Sequence, residues 1–121
     1  MYQVFQGEKG NFTVAHNNEV MNVHTIVYGV EAPDAFDVIH KEPISWRLEE
    51  INHSPTGLEW GYNGSGPSQL AWCILRECGL TKEQTRENYM SFKRDVISKL
   101  EERFNLTRES VMNWVKQHGL G

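Results

Sequence analysis

Polar and apolar residues alternate along the first part of the chain and recur at helical spacing along the last part, and the period changes across a glycine-rich stretch between them. Residues 2 to 6 (Tyr, Gln, Val, Phe, Gln) alternate, Gly7 to Asn11 carries turn chemistry, and Phe12 to Ala15 resumes an apolar run, so the spacing predicts a β-hairpin. Asn17 and Asn18 mark a second turn. Val20 to Val30 holds Val23, Thr25, Ile26, Val27 and Tyr28, side chains that suit a pleated, half-buried surface, and is expected to be a further strand. Pro33 with Asp34, Ala35 and Phe36 has the chemistry of a short helical turn, although Glu31 to Pro43 follows no single period. Ile44, Trp46 and Leu48 then alternate with Ser45, Arg47 and Glu49, as in a half-buried strand.

Past the loop the period becomes helical. Gly66 and Pro67 make a helix entry with proline at the first helical position, where its missing N–H costs no hydrogen bond, and Leu70, Ala71, Ile74, Leu75 and Cys78 share one face until Gly79 closes the helix. Thr81 and Gln84 form a capping-box pair, and Tyr89, Phe92, Val96, Ile97, Leu100 and Phe104 give a second helix its stripe. Thr107 caps a short third helix, with Val111, Trp114, Val115 and His118 along one side and Gly119 at its end. Strands first and helices last predict an α+β fold: a small antiparallel sheet from the N-terminal half packed against about three C-terminal helices. One domain is expected over residues 1–121, with strands mainly in 1–50, the loop at 51–66 and helices in 67–118.

Composition narrows the class. At 121 residues and 39% apolar, with four tryptophans and five phenylalanines, the chain is long enough for a core without metal or disulfide staples. It has no apolar run long enough to span a membrane and no signal-peptide pattern at its N-terminus, so a soluble, cytoplasmic protein is expected. Cys73 and Cys78 lie about 140° apart around a helix axis, which favours reduced, packed thiols over a bridge. The net charge is −4. Residues 1–80 carry ten acids against four bases, while residues 81–121 carry eight bases against six acids. That balance disfavours nucleic acid as a partner and leaves only a modest basic face on the C-terminal helices. The last helix resembles a DNA-reading helix superficially, and packing of Trp114 on the core is the simpler account.

The chemistry concentrates between His53 and Gln69. Pro55, Thr56 and Gly57 suit a tight turn, and Gly61, Gly64 and Gly66 let successive amides converge on a helix N-terminus, which favours an anion. The spacing is neither a P-loop nor a dinucleotide-binding fingerprint. His53 and Glu59 are the acid–base candidates, while a histidine satisfied by backbone and a glutamate bridging loop amides is the structural alternative. Ser65 lies in Asn-Gly-Ser-Gly-Pro, which breaks the serine-hydrolase elbow. Trp60 and Tyr62 alternate, so one is expected to pack inward and the other to face out. No histidine or cysteine spacing matches a metal site, and neither metal nor cofactor is expected. The candidate binding residues are His53, Thr56, Glu59, Trp60, Tyr62, Ser65 and Ser68.

Asn52 to Tyr62, followed by Gly64 to Ala71, resembles the signature N-H-S-P-T-G-F-E-W-G-Y-x-G-S-G-P-A-Q-L-A of a family of small uncharacterised proteins from bacteria, plasmids and phages. Leu58 stands for the usual phenylalanine and Ser68 for the usual alanine. Tyr89, Phe92, Lys93 and Val96 to Leu100 resemble the family's helix, so the resemblance spans about residues 44–118. It implies no known activity. It does imply a mobile-element setting, and with it a non-enzymatic protein that binds a host macromolecule through the 53–69 loop. An enzyme or anion binder using His53 and Glu59, and nucleic-acid binding by the C-terminal helices, are the alternatives.

Overall fold

The structure is a computed structural model describing residues 1–16, 18–31 and 40–118. Strands β1 (Val4–His16) and β2 (Glu19–Val30) form one long antiparallel hairpin, with Val4 opposite Val30 and His16 opposite Glu19. Asn18 turns the chain at φ 63°, a left-handed conformation that asparagine tolerates. The turn expected at Gly7 to Asn11 does not form. β1 runs straight through it, and the register slips between Lys9 and Phe12, a β-bulge that absorbs the extra residue. Gly7 is a packing glycine: a Cβ there would stand 2.0 Å from the ring of Phe104.

The sheet has four antiparallel strands in the order β3-β2-β1-β4, where β3 is Lys41–Pro43 and β4 is Phe104–Thr107. The strand expected over Ile44 to Leu48 is displaced to β3. The Ile44 N–H still donates to the Val27 carbonyl at 3.0 Å, but Arg47 takes φ 52° and the extended path ends. The helical turn expected at Pro33 to Phe36 lies outside the described residues.

Helix α1 (Ser65–Glu77) is capped by Gly64, so Pro67 sits in the third position rather than the first. This costs nothing, because N–H groups of the first turn lack acceptors within the helix. At its end the Leu80 N–H reaches the Leu75 carbonyl at 3.2 Å and the Gly79 N–H the Arg76 carbonyl at 3.0 Å, with Gly79 at φ 98°. That is a Schellman closure around a glycine.

Helix α2 (Lys82–Asp95) opens with both halves of the Thr81–Gln84 capping box. It stops before the end of its expected stripe: Ile97–Lys99 is a single 3-10 turn, and Phe104 belongs to β4, beside Gly7 of β1. Pairing with a distant strand overrides a helical spacing that Leu100 and Phe104 satisfy only formally. The order of strands followed by helices is therefore broken by β4, while the α+β class stands. Helix α3 (Arg108–Gln117) starts where Thr107 Oγ1 accepts the Ser110 N–H at 3.1 Å. The stop expected at Gly119 lies outside the described residues.

One contiguous cluster joins these parts: Phe5 and Val27 from the sheet, Trp60 from the loop, Trp72 from α1, Phe92 from α2 and Trp114 from α3. Every residue of α1 from Gly66 to Leu75 is buried. This helix is the axis of the core, and the loop that leads into it is held from several sides.

Candidate functional site

Gln69, fully buried on α1, is the clamp of the loop. Its Oε1 accepts the His53 N–H at 2.8 Å, and its Nε2 donates to the carbonyls of Trp46 at 2.7 Å and Ile51 at 2.9 Å. Ser54 Oγ donates to the Gly57 carbonyl at 2.6 Å, and the buried Thr25 hydroxyl donates to the carbonyl of Leu58. Further on, the Gly61 N–H donates to the Ile97 carbonyl at 3.0 Å. Gly61 has φ 87°, and a Cβ there would meet the Leu100 carbonyl at 3.1 Å, so both conformation and space select glycine. The backbone path is thus fixed before any side chain acts.

His53 and Glu59 are not brought together. His53 is exposed, and its Nε2 shares a hydrogen bond with the Tyr89 hydroxyl of α2 at 2.9 Å. Glu59 pairs with Lys9 of β1 at 3.3 Å and accepts the Trp60 N–H at 3.4 Å. A small cavity of about 110 Å³ beside the loop is lined by His24, Ser54, Thr56 and Glu59, without His53.

Trp60 and Tyr62 divide as their alternation suggests. Trp60 is fully buried: its Nε1 donates to the Glu101 carbonyl at 2.9 Å, its ring meets Phe104 edge-on at 4.9 Å, and Lys9 Nζ lies 5.2 Å from the ring centre. Tyr62 is 51% exposed and lies over Gly64, where a Cβ would stand 2.6 Å from its ring. Thr56 and Ser65 are exposed. Ser68 is buried, donates to the Gly64 carbonyl at 3.0 Å, and its Oγ is 3.8 Å from Met90 Sδ. Met90 is itself 45% exposed, so two large apolar side chains border the first turn of α1.

A charged cluster behind the loop escaped sequence reasoning. Glu50, with its side chain only 8% exposed, accepts from Arg76 Nε at 2.9 Å, Trp72 Nε1 at 2.9 Å and Arg47 Nη1 at 3.1 Å. Arg47 also reaches Glu77 at 3.0 Å, and Arg76 donates to the Leu80 carbonyl at 2.7 Å. Hydrogen bonds from Arg76, joined by Trp72 and the charge of Arg47, hold the Glu50 carboxyl down at about 2. Trp72 and Arg76 are one helical turn apart, a visible pairing, but nothing in the spacing announces Glu50 as their partner.

Cys73 and Cys78 are free and buried, and burial pushes the Cys78 thiol up to about 12, far from a reactive thiolate. Trp114 packs on Phe92 at 5.1 Å and donates to Asp95 at 3.1 Å, which makes α3 a core-packing helix. Among the described residues no three His, Cys, Asp or Glu side chains are grouped to hold a metal ion, and no helix is long and apolar enough to cross a membrane.

No curated protein and no solved structure matches the chain. A family model does match, and it begins at Tyr28 inside β2 rather than near Ile44, so it takes in β3, the loop, α1, α2, β4 and α3 and leaves out β1. With residues 28–117 matched, the chain belongs to the family of unknown function DUF6166.

Proposed function

We propose that this protein is a non-enzymatic interaction protein that contacts a macromolecular partner through the surface around Tyr62, at the head of α1. The observation that carries the reading is an aromatic ring left half exposed on a backbone fixed at Gly61, Gly64 and Gln69. A preordered aromatic loses little freedom on binding, and aromatic anchors supply much of the energy of protein interfaces. Trp60 serves from beneath, as the buried post on which the turn stands. His53, Thr56 and Ser65 are exposed polar residues of the same loop, while Glu59 and Ser68 hold the turn in place. The mobile-element setting implied by the signature makes a host macromolecule the expected partner class. Shared proton chemistry between His53 and Glu59 draws no support from their separate partners, Tyr89 and Lys9.

The test is site-specific photo-crosslinking in cells, with a benzophenone side chain at position 62 and, as control, at the exposed Asn105. A discrete adduct at 62 and none at 105 is the expected result, and with the benzophenone moved to the exposed Ser65, Tyr62→Ala should abolish capture of that species without changing the melting temperature. Identical adduct patterns at the two positions would overturn the reading.

A further inference from the structure

We propose that the partner of the Tyr62 surface presents an acidic segment with an apolar anchor. This rests on the interaction reading above and goes beyond it by naming the partner's chemistry. Lys82, Arg86, Met90 and Arg94 follow one another at intervals of four on α2, so they form one ridge along the helix. The ridge faces α1: the Arg86 guanidinium lies 5.9 Å from the centre of the Trp72 ring, and Met90 reaches Ser68. Tyr62 stands at the same end of α1 as Met90, beside Gly64.

The three cations of this ridge differ from the other arginines near the core. Arg47 and Arg76 are spent on Glu50 and Glu77, whereas among the described residues Lys82, Arg86 and Arg94 make no ion pair. Among the described residues, Arg94 is oriented only by the Ser91 hydroxyl at 3.3 Å. Unpaired positive charge on a chain of net charge −4 is local, and it flanks the exposed thioether. A complementary surface sets carboxylates against the cations and an aliphatic or aromatic side chain between Met90 and Tyr62. Glu83 and Glu87, exposed on the neighbouring ridge, interrupt the positive charge, so the surface suits carboxylates spaced to meet Lys82, Arg86 and Arg94 around an apolar anchor rather than an evenly charged phosphate backbone.

Fluorescence anisotropy with the full chain tests this. The probes are a labelled glutamate-rich peptide with a central Leu-Trp pair, the same peptide with serine at both anchors, the same peptide with glutamine for glutamate, oligo-dT and a short DNA duplex. The anchored acidic peptide should bind, and each control peptide should bind about ten-fold more weakly or worse. The double variant Arg86→Glu with Arg94→Glu should lose at least about ten-fold in affinity while its circular dichroism stays unchanged, and Glu83→Gln with Glu87→Gln should bind more tightly. Equal binding of the control peptides, preference for either nucleic acid, or no effect of charge reversal would overturn the proposal. A position-62 crosslink together with no peptide binding rejects the acidic partner alone; failure of both rejects the interaction reading too.

Discussion

At the scale of single residues, a glutamine without solvent exposure must satisfy its amide entirely within the fold, and Gln69 does so by tying Trp46, Ile51 and His53 to α1. Gln69→Leu keeps the volume, strands the His53 N–H and the Ile51 carbonyl, and leaves the Trp46 carbonyl only the weak Cys73 thiol donor at 3.2 Å. A loss of about 2–3 kcal/mol is expected, read as a lower urea midpoint, with faster proteolysis between residues 46 and 60. That one of Trp60 and Tyr62 turns inward and the other outward was legible from their alternation, because a local period carries that information; which of the two is buried was not. Gln69 was not. Its partners lie 16, 18 and 23 positions away, and nothing local to it announces them.

Elements behave the same way. Caps are local, so the box at Thr81 and the closure at Gly79 could be read directly from a few residues. Thr81→Ala removes the acceptor for the Gln84 N–H at 3.1 Å and should cost about 1 kcal/mol. Hydrogen exchange should then quicken in the first turn of α2 while α1, buried from Gly66 to Leu75, keeps its protection. Strand pairing is not local. The spacing of Leu100 and Phe104 suits a helix, and only the space above Gly7 and the edge of Trp60, both far away in sequence, draws Phe104 into β4. In the same way Gly7 to Asn11 has the composition of a turn but lies within a strand, since the bulge and the Phe104 ring use the freedom that a turn would have used.

Across the whole molecule, charge and burial meet at Glu50. Its carboxyl titrates near 2 in the folded protein against about 4.5 ordinarily, so its contribution is fully present above 4.5 and disappears as the pH falls from there through about 2. Melting temperature should therefore drop across that acid window. Glu50→Gln should flatten the acid-side slope and lower stability at neutral pH, because Arg47 and Arg76 would keep their charges without the carboxylate between them. A pH series of thermal melts on the two proteins checks both statements. The excess of acids in the first two thirds of the chain was plain from sequence, but which acid is buried, and between which arginines, depends on how the loop folds over α1.

The family match begins at Tyr28, yet the ring of Phe104 rests against Gly7 and β4 pairs along β1. A chain trimmed to the matched segment would not be a smaller version of this protein. It would keep the aromatic ring and lose its socket, and β4 and the short remnant of β2 left from Tyr28 to Val30 would lose the strand that now lies between them. What is recognised as the family and what closes as a sheet are two different lengths of the same polypeptide.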